Sequence, residues 1–184
     1  VLLAQTTDAD LIARSLADAE SFAAIFERHF ADIHRYLARR VGSHRADDLA
    51  AATFTTAFAR RREFDSAYIT ARPWLFGIAT HLLLGERRRE RRMLERIARL
   101  AERHSDGLVA RDLHPDPLDP ELASALRRLD PGRRDALLLF AWAELSYEEI
   151  AVALDLPLGT VRSRIARARQ ELREQLRPEP KEAS

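Results

Sequence analysis

The chain has 184 residues with 30 basic and 29 acidic side chains, a formal net charge of +1, and 46% hydrophobic residues. That is the balance of a water-soluble globular protein of one large or two small domains, with any basic surface confined to a local patch. The absence of cysteine excludes disulfides, thiolate-held zinc and a thiol switch. The longest wholly apolar run, Ala136 to Ala143, is far too short to span a bilayer. The N-terminus shows no secretory pattern, so the expected compartment is the cytoplasm and no membrane insertion is expected.

Strand-like alternation is absent and Gly and Pro are sparse, so the expected class is all-α. A short helix is expected over residues 8 to 17. Asp18 can cap a long second helix running to about Arg40, with Phe22, Ile25, Phe26, Phe30, Ile33 and Leu37 as its buried stripe. Gly42-Ser43 is expected to end it. A third helix, about Arg45 to Arg62, would turn Leu49, Phe54, Ala57 and Phe58 inward. Residues 63 to 71 read as a loop. Pro73 suits the first turn of a fourth helix through Trp74, Leu75, Ile78 and Leu82, followed by a charged stretch to about Glu102. Within it, Arg87 to Arg92 is dense enough in base for a phosphate-facing edge.

Residues 104 to 120, HSDGLVARDLHPDPLDP, change character. Prolines, a glycine and acids with few apolar residues read as an extended acidic linker. It would divide a helical domain over residues 1–103 from a smaller one over 121–184. Helices are expected over Glu121 to Leu129 and Pro131 to Ala143, the latter capped by Asp130, with Leu137, Leu138, Phe140 and Ala141 as core. Pro178 to Ser184 reads as a polar tail.

The most informative stretch is LSYEEIAVALDLPLGTVRSRIARARQELREQL, residues 145 to 176. Ser146 and Glu149 form a capping box ahead of a short helix with Ile150, Ala151 and Leu154 on one face. Asp155-Leu156-Pro157 stops it. Thr160 can cap or open the next helix, which carries Val161, Ile165, Ala168 and Leu172 on one side and Arg162, Ser163, Arg167 and Arg169 on the other. This is the pattern of a helix-turn-helix, whose second helix enters the major groove. Arginine can bond two acceptors of one guanine, serine can donate to a base or phosphate, and flanking arginines neutralise the backbone. An ordinary helical hairpin with a solvated basic face is the plainer alternative. The capped short helix, the proline in the turn and the arginine-rich second helix count against it.

Three stretches resemble the extracytoplasmic-function (ECF) sigma factors of bacterial RNA polymerase, in the sigma-70 family. ADDLAAATFTTAF, Ala46 to Phe58, looks like the family's core-binding helix. RPWLFGIATHLLLGERRRERR, Arg72 to Arg92, is similar to its promoter-opening helix. LSYEEIA followed by LPLGTVRSRIARAR, Leu145 to Arg169, resembles its region four. The chain departs from the family's usual residues at Ala51, Ala52, His81 and Ala166.

The resemblance implies a transcription initiation factor, not an enzyme, with no cofactor and no metal. Asp47, Asp48 and Leu49, with Phe54 behind them, would dock on the clamp coiled coil of the polymerase core; the flap of the core, promoter DNA and an anti-sigma factor complete the implied partners. Arg60, Arg61, Phe64, Tyr68, Trp74, His81, Arg88 and Arg89 would hold the opened −10 element. In the recognition helix, Arg162, Ser163 and Arg167 would face −35 bases while Thr160, Arg164 and Arg169 approach phosphates. A stand-alone helix-turn-helix regulator is the alternative, though the N-terminal half offers no ligand-sensing motif. A recombinase or nuclease would need a metal-binding carboxylate cluster, and the adjacent Asp47 and Asp48 point to different sides of a helix.

Overall fold

The computed structural model describes residues 6–101 and 119–177, and every described element is helical. The chain divides into two compact units, Val1–Asp116 and Pro117–Ser184. The acidic stretch up to residue 118 and the tail from Pro178 lie outside the described residues.

The first unit holds α1 (Asp8–Ser15), α2 (Ala23–Val41), α3 (Ser43–Ala59) and α4 (Arg72–Ala101), with single 3₁₀ turns at Ala19–Phe22 and Arg61–Glu63. α1 starts at Asp8 as expected, capped by Thr7 through a box with Asp10. Asp18 does cap, but it caps the 3₁₀ turn, accepting from the Glu20 N–H, and α2 begins only at Ala23. Gly42 alone separates α2 from α3, at φ 82° and ψ 160°, a conformation in which any Cβ is strained. Ser43 is therefore already helical, and α3 ends at Ala59, not near Arg62.

Ile25, Ile33 and Leu37 of α2 close against Leu49 and Ala50 of α3 and Leu75, Ala79 and Leu83 of α4, all buried. Alanines at these seams let the helix axes approach closely. The expected stripe on α2 is only partly right. Phe22 is buried, but Phe26 is 41% exposed and Phe30 half-buried, because they sit at the edge of the apolar arc, where α3 covers one side only. The α2 core is completed instead by His29, Tyr36 and Arg40. The Tyr36 hydroxyl accepts from the Arg40 guanidinium at 2.7 Å and lies 3.3 Å from the Thr80 hydroxyl.

The second unit holds α5 (Pro120–Arg128), α6 (Pro131–Trp142), α7 (Tyr147–Leu154) and α8 (Leu158–Gln175). Asp130 caps α6 as expected, accepting from Gly132 and Arg133 N–H. Leu139, Leu145, Ile150, Val161, Ile165 and Ala168 form its centre, with Leu126 of α5 against them. Leu137 and Leu138 are buried as expected; Phe140 is half-buried and Ala141 exposed, since α6 is covered on one side only. Arg133 of α6 and Glu171 of α8 form an ion pair across the outer edge.

The α7–α8 turn is three residues long. Asp155 ends α7 in the left-handed region at φ 51°, ψ 55°, with the Leu156 N–H returning to the Ala151 carbonyl at 2.9 Å. A Cβ is unfavourable at such a position, and a carboxylate beside the negative end of α7 adds nothing. Asp155→Gly is therefore expected to stabilise this unit by about 0.5–1 kcal/mol without moving α8. Urea unfolding followed by Trp142 fluorescence checks it, and a lowered midpoint would show that the aspartate side chain contributes more than the strain it carries.

Candidate nucleic-acid interface

The candidate surface is built from the turn outward. The Ser146–Glu149 box is formed in both directions, at 3.1 and 2.8 Å. It fixes the start of α7, whose Ile150 and Ala153 seat on α8. α8 starts two residues before Thr160: Pro157 flanks it without a side-chain cap, so Thr160 lies inside the first turn. The cause is Pro157, whose fixed φ suits a helix start and sets the boundary earlier than the hydroxyl would. Val161, Ile165 and Ala168 then face inward. Helical spacing leaves Arg162, Ser163, Ala166 and Arg167 together on the exposed side.

The basic side chains of α8 are not equivalent. Arg167 is exposed and, among the described residues, meets no partner. Arg162 is exposed and lies 4.0 Å from Glu148 of α7. The Ser163 hydroxyl donates to the Thr160 carbonyl at 3.0 Å while remaining exposed. Arg164 is half-buried, its guanidinium so close to Gly132 that a Cβ there would meet it at 2.8 Å. Arg169 lies over the Phe140 ring, 4.7 Å from its centroid, and Phe140 in turn meets Tyr147 at 5.3 Å. Sequence alone missed Phe140 in this role, since an aromatic among leucines reads as core.

In the first unit, Phe64 and Trp74 meet ring to ring at 5.3 Å and are both half-buried. Tyr68 is 41% exposed in the loop, and its neighbour Ile69, missed from sequence, is 73% exposed. A loop residue that is apolar and has nothing to cover is the signal that could have found it. Trp74, His81 and Arg88 recur every seventh residue and so share one face of α4. The His81 Nδ1 is 2.8 Å from the Gly77 carbonyl and its ring reaches the surface. Arg88 and Arg89 are exposed beyond it. Two of the predicted bases are engaged within the fold. Arg60 pairs with Glu63 at 2.6 Å, which raises its pKa. Arg61 donates to the Phe58 carbonyl at 2.6 Å and covers the Phe58 ring.

On the α2–α3 side, Asp47 and Asp48 are exposed but Leu49 and Phe54 are buried. Asp47 Oδ1 is 2.8 Å from His34 Nε2. The apolar groups that reach this surface are Phe26 and Phe30, with centroids 4.8 Å apart and Phe54 beneath them. His34 stacks on Phe30 at 5.6 Å. The face is thus aromatic at its centre and acidic beside it, a pairing that α3 alone did not reveal.

Comparison with known proteins places the chain in a family. The family model for sigma-70 region 2 matches residues 25–93, and that for sigma-70 region 4 matches residues 120–172. The ECF RNA polymerase sigma factor SigE of Mycolicibacterium smegmatis is 36% identical over 85% of this chain and 62% of its own length. So the chain spans somewhat less than two thirds of that relative. The ECF RNA polymerase sigma-E factor of Haemophilus influenzae is 31% identical over 95% of this chain and 97% of its own. Among solved structures, the sigma factor RpoE of Bartonella quintana, crystallised with the anti-sigma factor NepR, shares the fold at TM-score 0.65 and 23% identity, over 88% of this chain and 99% of that one. With helices, turn and exposed arginines arranged as described, the chain belongs to the ECF RNA polymerase sigma factors of the sigma-70 family.

Proposed function

We propose that this chain binds the RNA polymerase core and directs it to promoters by gripping the −10 and −35 elements with its two units. The observation that carries this reading is the outer face of α8. Arg162, Ser163 and Arg167 are exposed together over a core that holds the helix rigid. A rigid helix presenting two guanidinium groups and a hydroxyl is suited to reading base edges in the major groove. Thr160, Arg164 and Arg169 lie at its flanks, where phosphates run.

In the first unit, the Phe64–Trp74 pair, Tyr68 and His81 form an aromatic edge on which an unstacked base of the −10 strand can rest. Arg88 and Arg89 continue it as a track for the backbone. Arg60 and Arg61 contribute by shaping the loop, given their partners inside the fold. Chemistry is left to the polymerase; this chain is not an enzyme and acts in the cytoplasm without a metal or cofactor. Among the described residues no helix is long and apolar enough to cross a membrane.

The clamp coiled coil would dock on the α2–α3 face, with Phe26 and Phe30 as apolar anchors, Phe54 as their support and Asp47 and Asp48 as the acidic flank. Leu49 acts from beneath. The flap of the core would meet the second unit, and an anti-sigma factor would compete for the same surfaces. Asp48→Lys is expected to slow association with core about tenfold at low salt, the loss shrinking as salt screens it. Stopped-flow association at several ionic strengths measures this; a salt-independent or absent effect would place docking elsewhere.

Transcription reconstituted with purified core polymerase over a randomised promoter library tests the whole reading. Start sites that appear only when this chain is added support it. A gel shift separates the stand-alone regulator: that protein would bind its duplex tightly without core, whereas this chain requires core.

A further inference from the structure

The segment before α2 lies ahead of the residues matched to sigma-70 region 2, yet it carries a buried carboxylate bonded to both α2 and the entry to α4. Asp8 is 5% exposed. Its Oδ2 lies 2.7 Å from His29 Nε2 and accepts from the Ala71 N–H at 2.8 Å and the Thr70 hydroxyl at 3.3 Å. Its Oδ1 accepts from the Arg28 guanidinium at 3.0 Å, and its own N–H donates to the Ile69 carbonyl at 3.2 Å. Arg28 also donates to the Thr6 carbonyl at 2.8 Å. Burial alone would raise the Asp8 pKa; the bonds from His29 and Ala71, the attraction of His29 and the bond from Arg28 outweigh it and lower it far below the ordinary carboxylate range.

The other end of α1 is fastened too. Arg61, at the entry to the 60–71 loop, donates from Nε to the Ser15 carbonyl at 3.3 Å. So α1 grips the loop where it leaves α3 and again where it enters α4. Between the two fastenings the chain turns at Asp65, whose carboxylate takes the Ala67 N–H at 2.9 Å, and then exposes Tyr68 and Ile69. A buried charge of this kind adds little net stability over an apolar contact of the same shape. What it can contribute instead is a single position for the backbone it holds.

We infer that α1 is a strap and Asp8 a positioning residue: together they hold the 64–71 loop in one arrangement, so that Phe64, Tyr68 and Ile69 meet the −10 strand already ordered. The inference rests on the assignment of that loop to the −10 element. A loop ordered in advance loses less entropy on binding and discriminates bases more sharply than one that must order on contact.

The test uses the full chain with Asp8→Ala, Asp8→Glu and Arg28→Met. Hydrogen exchange of the 64–71 amides reads the strap directly, and Asp8→Ala is expected to speed it about tenfold. With core bound, affinities for single-stranded −10 oligonucleotides carrying each base in turn read discrimination, which should flatten in Asp8→Ala while core affinity stays unchanged. Asp8→Glu, which keeps the charge one methylene further out, should recover part of both. If Asp8→Ala fails to fold, Arg28→Met takes its place, removing the two outer bonds to Asp8 and the Thr6 carbonyl and shifting exchange and discrimination the same way by less. Unchanged exchange, or discrimination that holds while exchange rises, overturns the inference. So does a fall in core affinity parallel to the fall in discrimination, which would mark Asp8 as merely structural. Tyr68→Ala and Ile69→Ala serve as the separate control. If they leave discrimination intact, the loop's assignment to the −10 element fails, and the exchange measurement still decides whether the strap exists.

Discussion

Ile165→Ala is expected to unfold the second unit while leaving the first intact. Ile165 is 1% exposed at the centre of α8, between Val161 and Ala168 and facing α6 and α7. Truncating a fully buried isoleucine loses its transfer energy and leaves a cavity, together about 2–5 kcal/mol. A single core built from so few residues supplies only about 3–5 kcal/mol in total. The substitution therefore removes most or all of the stability that holds the recognition helix in place. The two tryptophans make the result readable, because Trp74 lies in the first unit and Trp142 in the second. In single-tryptophan variants, the Trp142 signal should already be that of an unfolded chain at room temperature, and the Trp74 transition should stay where it is. Transitions that shift together would mean that the units fold as one cooperative body. In function, binding to core through the α2–α3 face should survive and dependence on the −35 sequence should vanish.

The second unit was the more legible of the two from sequence, for a physical reason. Its organising signals are local. The Ser146–Glu149 box, the Asp130-Pro131 start of α6 and the proline in the turn act over three or four residues, so they can be read directly. The start of α8 was misplaced, where Thr160 competed with Pro157 as a boundary, and Phe140 and Ala141 lie further out than expected. In the first unit the decisive contacts are long-range. Nothing near Asp8 announces partners twenty-one and sixty-three residues away, in His29 and Ala71. The exposure of Phe26 and Phe30 likewise depends on how α3 crosses α2, which the periodicity of α2 does not encode. Composition also misled in one respect: an arginine-rich chain makes every arginine look like a phosphate contact. The fold sorts them. Arg61 is bonded to backbone, Arg164 lies against Gly132, Arg169 covers a ring, and Arg167 is left exposed.

That sorting sharpens the expected outcome for the recognition helix. Arg167→Ala should weaken binding to the preferred promoter by about 1–3 kcal/mol, roughly fivefold to 150-fold, and relax preference at one base pair of the −35 element. The guanidinium is exposed and meets no partner among the described residues, so removing it disturbs nothing inside the unit. Its loss should leave unfolding unchanged and appear only against DNA. Arg169→Ala should behave in the opposite way. Its cation lies over Phe140, so truncation is expected to lower the stability of the unit by about 0.5–1 kcal/mol. It should also weaken all promoters alike, because a phosphate contact carries no base identity. A matrix of promoter variants against the two substitutions, measured with core bound and at fixed salt, separates the cases. The base-reading role of Arg167 requires one column of the matrix to flatten, at the base pair it contacts. Equal losses across every column would instead make Arg167 another backbone contact and shift the reading of sequence to Arg162 and Ser163, with Glu148 then acting to orient Arg162 from α7.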